Sequence, residues 1–173
     1  MILTQVIKRA QQFYPDNLAT VDGEHRQTYR ELHTRVIACA AALQNLGVKP
    51  NDHVAMLMLN CHQFPEIIFA CWEIGAVIVP LNYRLAAEEL IFIINDAECM
   101  MLITDDVMLP LTMEMRPRLA GIQHYISTIQ ANDFLAYEDL LDIRPQFSRL
   151  LKLANTIWRA CFIRAEPPDC PKA

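Results

Sequence analysis

Apolar residues between positions 52 and 104 fall into strand-length runs that alternate with segments of helical spacing. The runs predict strands, and the spaced segments predict helices that connect them. The predicted strands are His53–Leu59, Ala76–Pro80 and Met100–Thr104, and the predicted helices are Phe64–Ile74 and Glu88–Ala97. Continuous apolar runs are typical of strands that are covered on both faces. Helices between such strands indicate right-handed βαβ crossovers, so the sequence predicts an α/β fold with a mostly parallel sheet.

Shorter elements are predicted before this central unit. They are an amphipathic helix over Ile2–Phe13 and two hairpin strands, Leu18–Val21 and Gln27–Thr28. The dipeptide Asp22-Gly23 is a hairpin turn signal between the two strands. Thr28 and Glu31 have the spacing of a capping box, which predicts that the next helix begins there. Gly47 is in position to end that helix.

Three further elements are predicted after the central unit. They are a helix over Val107–Leu119, a strand over Gln123–Ser127 and a helical piece over Phe134–Leu141. Asp105 and Asp106 are in position to cap the first of these. The pattern changes beyond position 142, and we expect a domain of residues 1–142 followed by an atypical tail of residues 143–173.

The tail combines basic with apolar residues. It carries six Lys/Arg against two acidic residues, a net charge of +4, which leaves −9 for residues 1–142. One interpretation is a basic amphipathic helix that lies on an anionic membrane surface. The other is a segment that packs on the body of the protein or forms a poorly ordered end.

The composition indicates one globular domain without nucleic acid as a partner. The chain has 173 residues, enough to bury about 70% of the surface exposed on unfolding. The net charge of −5 gives no reason to expect nucleic-acid binding. No run of about twenty apolar residues predicts a membrane span, and no secretory leader is predicted. We therefore expect a cytoplasmic protein or one at a membrane surface. Six cysteines without CxxC spacing predict reduced thiols, and Cys39 and Cys71 fall on apolar helix faces.

Catalytic motifs are missing from the sequence. The glycines at 23, 47, 75 and 121 are isolated, and neither G-x-x-x-x-G-K-[ST] nor G-x-G-x-x-G occurs. Cys61 and His62 are adjacent, but neighbours in sequence rarely have the geometry for nucleophilic catalysis, and we interpret His62 as a surface histidine. No catalytic, cofactor-binding or metal-binding residue is predicted.

Two acidic pairs and one loop have structural explanations. Glu88-Glu89 and Asp105-Asp106 stand where helices begin, and carboxylates there interact favourably with the helix dipole. The loop Leu81–Leu85 follows a predicted strand at its carboxyl end, the edge of an open parallel sheet where ligands usually lie. A plain turn between strand and helix is the favoured interpretation of this loop.

Several short motifs occur together in an order and spacing that resemble one enzyme superfamily. They are Thr28–Leu32 (TYREL), Leu46–Ala55 (LGVKPNDHVA), Asn60, Gly75–Val77 (GAV), Val79–Asn82 (VPLN) and Glu88–Leu90 (EEL). Over about residues 3–141, this order resembles the start of the adenylate-forming (AMP-binding) enzymes. The segment Pro80–Leu85 is similar to the corresponding segment of acyl-CoA synthetases, which include fatty-acid and aryl-acid ligases. The resemblance implies the N-terminal subdomain of such an enzyme, in incomplete form.

The resemblance also implies a two-step reaction. A carboxylic acid and ATP form an acyl-adenylate and pyrophosphate, and CoA then takes the acyl group as a thioester. It implies ATP, Mg²⁺ and CoA as cofactors of the intact family and a fatty or aryl acid as substrate. No cofactor is expected on this chain alone. The Ser/Thr/Gly-rich signature loop of the family follows the region equivalent to Tyr137–Leu141, and here residues 143–173 stand in its place.

Two functional expectations follow from the sequence. The first is an N-terminal fragment of an AMP-forming acyl-CoA synthetase that is inactive alone and self-associates through exposed apolar faces. The alternative is a non-catalytic α/β interaction module whose basic tail binds a partner or a membrane surface.

Overall fold

The structure, a computed structural model, describes residues 5–142 of the chain. The described residues form six α-helices and seven strands. The helices are α1 (Gln5–Phe13), α2 (Tyr29–Asn45), α3 (Gln63–Glu73), α4 (Ala87–Asp96), α5 (Leu109–Met115) and α6 (Tyr137–Leu141). The strands are β1 (Leu18–Asp22), β2 (His25–Thr28), β3 (His53–Leu57), β4 (Val77–Pro80), β5 (Met101–Thr104), β6 (His124–Ser127) and β7 (Leu135–Ala136).

Five of the strands form one parallel sheet in the order β4-β3-β5-β6-β7. β3 lies between β4 and β5, with Val54 opposite Ile78 on one side and opposite Met101 on the other. The β5–β6 and β6–β7 pairs are also parallel. α3 connects β3 to β4, and α4 connects β4 to β5. The predicted α/β fold with a parallel sheet and βαβ crossovers is confirmed.

Both faces of the sheet are covered by helices. In β3, Val54 and Met56 pack in one core cluster with side chains of α2 and α3. Ala55 and Leu57 pack in the other cluster with side chains of α4 and α5. All four residues are at most 1% exposed. This two-sided burial explains why the strand reads as a continuous apolar run rather than an alternating one.

The hairpin β1–β2 is antiparallel and forms a separate two-stranded sheet beside the start of α2. The capping box predicted at that start is confirmed. Thr28 Oγ1 accepts from the Glu31 backbone N–H at 3.3 Å, and Glu31 Oε2 accepts from the Thr28 backbone N–H at 2.8 Å. Gly47 follows the helix with a φ of +94°, the left-handed conformation that glycine adopts without a Cβ penalty.

The helical piece predicted over Phe134–Leu141 is wrong in its first part. Leu135 and Ala136 form a short strand parallel to β6, and the helix begins only at Tyr137. Two residues are too few to give the alternation that distinguishes a strand from a helix in sequence. The parallel partner β6 therefore decides the conformation of this stretch.

The helix predicted over Val107–Leu119 is shorter than expected. The α-helix covers Leu109–Met115 and continues as a 3₁₀ turn over Arg116–Arg118. Pro117 lies in this turn and has no backbone N–H to continue the α-helical ladder. The cap predicted from Asp105 and Asp106 is wrong, because Met108 is the residue that precedes α5 and no side chain caps the helix. Asp105 Oδ1 instead accepts from the backbone N–H of Met108 at 2.8 Å, within the turn before the helix.

The chain divides into two units, Met1–Asp142 and Ile143–Ala173. The amphipathic helix considered for the tail, and residues 2–4 of the first predicted helix, lie outside the described residues. Within residues 5–142, no helix has the length and apolar content to cross a bilayer.

Candidate functional site

The carboxyl ends of the parallel strands meet at one edge of the sheet, which is the usual ligand side of an open α/β fold. The loop after β4 lies there. Its first residue, Leu81, is buried and donates its backbone N–H to the Met56 carbonyl at 2.9 Å. Asn82 Oδ1 accepts from the Arg84 backbone N–H at 3.0 Å, and the Arg84 guanidinium lies 5.5 Å from the Tyr83 ring centroid. The exposed part of the loop is thus an Asn-centred turn beside one stacked cation, which agrees with the plain-turn interpretation.

Asp105 is the buried carboxylate at this edge, with 5% exposure. Its Oδ2 accepts from the backbone N–H of Leu59 at 2.7 Å, and its Oδ1 accepts from that of Met108 at 2.8 Å. The side chain therefore joins the end of β3 to the start of α5. Because both oxygens bind backbone donors, Asp105 has a structural role, as predicted for this acidic pair.

The acidic pair at the start of α4 is also structural. Glu89 Oε2 accepts from the Ala86 backbone N–H at 2.9 Å. Glu88 forms a bidentate ion pair with Arg118, whose Nη2 lies 2.7 Å from Glu88 Oε2. The hydrogen bonds from Arg118 hold the pKa of Glu88 below its ordinary value. Both carboxylates thus interact within the fold.

His62 is partly buried and has partners within the fold, so the interpretation as a surface histidine holds only in part. Its side chain is 20% exposed, and its ring stacks on that of His25 with centroids 3.8 Å apart. Asp22 Oδ2 lies 3.2 Å from His62 Nδ1 and accepts from the His62 backbone N–H at 3.0 Å. These hydrogen bonds lower the pKa of Asp22. The three residues attach the hairpin to the start of α3, and no signal in sequence linked Asp22 to a residue 40 positions away.

The described cysteines are free thiols, as predicted. They are Cys39, Cys61, Cys71 and Cys99, and three of the four are buried. Burial raises the pKa of Cys39 to about 12 and that of Cys99 to about 11. Burial also raises the pKa of Cys61, beside His62 in sequence. These shifts keep the thiols protonated at neutral pH and disfavour nucleophilic chemistry.

A buried polar cluster joins β2, α2, α3 and α6, and it was not predicted from the sequence. Its centre is Glu66 of α3, whose side chain is 0% exposed. Glu66 Oε1 accepts from Gln27 Nε2 at 2.5 Å and from Arg35 Nε at 2.7 Å. Glu66 Oε2 accepts from the Tyr137 hydroxyl at 2.8 Å. Together with Glu138, these residues form what we call the Glu66 cluster.

Arg35 extends the Glu66 cluster towards the surface. Its Nη1 and Nη2 donate to the two carboxylate oxygens of Glu138 at 2.9 and 2.8 Å. Burial alone would lower the pKa of Arg35, but the hydrogen bonds to Glu138 and Glu66 outweigh it and raise that pKa. Burial raises the pKa of Tyr137 as well, so its hydroxyl stays protonated and donates. Among the described residues, every buried polar side-chain atom has a hydrogen-bond partner.

The described residues do not fit a magnesium–triphosphate site. Residues 5–142 contain no group of three or more His, Cys, Asp and Glu side chains that could hold a metal ion. The buried carboxylate at the ligand edge, Asp105, already accepts two backbone hydrogen bonds. A triphosphate needs a cradle of backbone donors, which glycine-rich loops supply, and the four glycines here are separate.

The layered parallel sheet defines the class of protein, an α/β fold of the adenylate-forming type. It matches the N-terminal subdomain of adenylate-forming CoA ligases. A putative long-chain-fatty-acid CoA ligase from Rhodopseudomonas palustris superposes with a TM-score of 0.78 at 29% identity, covering 84% of this chain and 37% of that one. The structure of an N-terminal domain of FACL13 from Mycobacterium tuberculosis superposes with a TM-score of 0.74 at 26% identity, covering 82% of this chain and 35% of that one.

Comparison of sequences identifies the family. The sequence model of the AMP-binding enzymes matches residues 7–158, and the chain belongs to the AMP-binding enzyme family. A long-chain-fatty-acid–CoA ligase of Thermus thermophilus is 36% identical over 119 residues, which are 68% of this chain and 22% of that protein. A 2-succinylbenzoate–CoA ligase of Bacillus cereus is 40% identical over 91 residues, 53% of this chain and 19% of that protein. The chain thus spans about a fifth of these relatives, and the family match continues into residues 143–158 of the tail.

Proposed function

We propose that this chain is the N-terminal part of an AMP-forming acyl-CoA synthetase. The complete protein converts a carboxylic acid, ATP and CoA into acyl-CoA, AMP and pyrophosphate. The observation that carries this proposal is the family match over residues 7–158. It is supported by the superposition of 84% of this chain on a related ligase. The two relatives named above are ligases of a long-chain fatty acid and of an aryl acid, so the substrate class is a fatty or aryl acid.

In the proposed enzyme, residues 5–142 serve as the scaffold. Two-sided burial makes the sheet rigid, and the loops at its carboxyl edge, including Leu81–Leu85, face the side on which ligands of open α/β sheets lie. ATP, Mg²⁺ and CoA are cofactors of the complete protein. The described residues offer no group for the triphosphate, so we expect residues 5–142 by themselves not to adenylate a carboxylic acid.

A segment exchange tests the proposal. Residues 7–142 replace the matched segment of the Thermus thermophilus ligase, and acyl-CoA formation is measured with long-chain acids. The ligase lacking this segment is the negative control, and circular dichroism establishes that the chimera folds. The proposal expects the chimera to form acyl-CoA in a reaction that requires the acid, ATP and CoA. A folded chimera with no more activity than the negative control contradicts it.

The non-catalytic alternative rests on the charge of the tail, +4 in residues 143–173 against −9 in residues 1–142. A basic segment of this kind favours an anionic surface over a neutral one. Sedimentation with anionic and neutral vesicles, using residues 1–173 and 1–142, separates the two functions. Binding that needs both the tail and anionic lipid supports the interaction module. A cytoplasmic location, with or without membrane contact, stays a prediction.

A further inference from the structure

The last two described elements, β7 and α6, have little backbone support of their own. β7 consists of two residues and pairs only with β6, through Ile126 opposite Leu135 and Ser127 opposite Ala136. α6 has five residues. A helix or a strand pair of this length is not stable in water by itself. Side-chain contacts must therefore hold the segment Leu135–Leu141 against the body.

Tyr137 supplies the apolar part of that attachment. Its side chain is 1% exposed and lines a narrow apolar crevice between α2 and the sheet. The other lining residues are Cys39, Ala42, Leu43, Ile103, Ile126, Leu140 and Leu141. The Tyr137 hydroxyl at the inner end of the side chain donates to Glu66 at 2.8 Å. One side chain thus packs between apolar residues of α2 and the sheet and donates to a buried carboxylate.

Arg35 supplies the polar part of the attachment, and it binds both α3 and α6. Its Nε is held by Glu66 of α3, while Nη1 and Nη2 are presented outward to Glu138. The Arg35 and Glu138 side chains are 27% and 50% exposed, so this ion pair opens to water without stranding a buried charge. The Arg35–Glu66 contact joins α2 to α3 and does not involve α6. The body thus anchors Arg35 through one bond that does not depend on Glu138.

From these contacts we infer that Leu135–Leu141 is a latch that opens and closes as one unit while the rest of the sheet stays folded. Glu66 and Arg35 are its positioning residues, because they fix where Tyr137 and Glu138 dock. This inference is independent of the proposed enzymatic activity.

Native-state amide exchange of the complete chain tests the latch. In the wild type, amides of residues 135–142 are expected to exchange faster than those of β3 and β5, because a local opening needs less free energy than global unfolding. Glu138→Gln removes the charge that Arg35 binds and is expected to accelerate exchange of residues 135–142 by about threefold. Ile94→Val is the matched comparison, since Ile94 packs on the opposite face of the sheet and is 1% exposed.

The two variants are expected to accelerate amide exchange in different parts of the chain. Ile94 keeps its contacts when the latch opens, so Ile94→Val is expected to accelerate exchange in β3 and β5 by about threefold and to leave residues 135–142 unchanged. Equal acceleration of residues 135–142 by Ile94→Val overturns the inference, because these amides then exchange only by global unfolding. Exchange of residues 135–142 that does not respond to Glu138→Gln also overturns it, because Arg35 then does not hold the segment.

Discussion

The guanidinium of Arg35 donates from Nε to the buried carboxylate of Glu66 at 2.7 Å, although 31 residues separate the two in sequence. The contact joins α2 to α3 across one face of the sheet. Glu66 is 0% exposed, and a carboxyl group out of reach of water needs hydrogen-bond donors from the protein. Arg35 therefore has a larger role in the fold than its position near the surface indicates.

The first prediction concerns the loss of this cation. Arg35→Met leaves Glu66 with two neutral donors and is expected to lower the free energy of unfolding by about 3 kcal/mol, because a buried charge loses its partner. Arg118→Met is the matched control, since it breaks a bidentate pair whose carboxylate, on Glu88, is 72% exposed. Urea denaturation monitored by circular dichroism measures both. If both substitutions lower the free energy of unfolding by the same small amount, Arg35 does not stabilise the fold through the buried Glu66.

The second prediction concerns acid stability. Burial alone would raise the pKa of Glu138, but the hydrogen bonds and charge of Arg35 outweigh it and hold that pKa below its ordinary value of 4.5. A carboxyl group whose pKa is lower in the folded state stabilises the fold above its ordinary pKa, and this contribution is lost as pH falls through the folded-state value. The difference in unfolding free energy between wild type and Glu138→Gln is therefore expected to be constant near neutral pH.

The same difference is expected to shrink as pH falls below 4.5, since protonated Glu138 and glutamine are both neutral. Urea unfolding at a series of pH values measures it. His62→Asn is a useful comparison, because hydrogen bonds from His62 likewise lower the pKa of its partner Asp22. Asp22 lies on β1 and not on α6. A wild-type advantage that stays constant down to the lowest pH of the folded protein argues against the Arg35–Glu138 pair as its source.

The third prediction concerns the turn between α3 and β4. Gly75 has a φ of +75°, and a Cβ there would lie 3.4 Å from Pro50 Cβ. Gly75→Ala is expected to lower the unfolding free energy by about 1–2 kcal/mol, because L-residues pay a steric cost in the left-handed region. Gly121→Ala is the control, since its Cβ meets only the Cys99 carbonyl at 3.5 Å and its φ lies outside that region. Thermal unfolding that ranks the two variants equally contradicts this account.

The fourth prediction concerns exposed apolar surface. Large apolar side chains of the described residues reach the solvent on several elements, including Val77 at 41%, Tyr83 at 40% and Phe92 at 68% exposure. Val77 also lies on β4, an edge of the described sheet with an unpaired side. The isolated chain is therefore expected to self-associate or to bind a hydrophobic dye. Light scattering that gives a monomer, without an increase in dye fluorescence, is the contrary result.

The central strands of the sheet were predictable because burial between two layers of helices leaves a continuous apolar run in the sequence. His53–Leu57 and Met101–Thr104 are buried on both faces, and both lie within the predicted apolar runs. Val77–Pro80 is a partly exposed edge strand that also lies within a predicted run. The start of α2 was predictable because its signal is also local, since Thr28 and Glu31 interact within one turn. The family resemblance, carried by motifs of the same stretch, is confirmed by the match over residues 7–158.

The Glu66 cluster was not predictable from local pattern, because its members are far apart in sequence. One signal was available. Glu66 stands on the buried stripe of α3 with Ile67, Ala70 and Cys71, where a carboxylate requires buried donors. That signal says that partners exist but not that they are Arg35 and Tyr137. The pairing of His62 with Asp22 and the short strand β7 likewise depend on tertiary contacts.

Exchange of radiolabelled pyrophosphate into ATP in the presence of a carboxylic acid measures acyl-adenylate formation. It therefore tests directly whether this chain alone can adenylate a carboxylic acid. The assay uses purified residues 1–173, shown to be folded by circular dichroism, with Mg²⁺ and a panel of fatty and aryl acids, and the Thermus thermophilus ligase as positive control. We expect no exchange above background with this chain, because the scaffold of residues 5–142 has no group that fits a magnesium–triphosphate. Exchange that requires both the acid and this chain would contradict it.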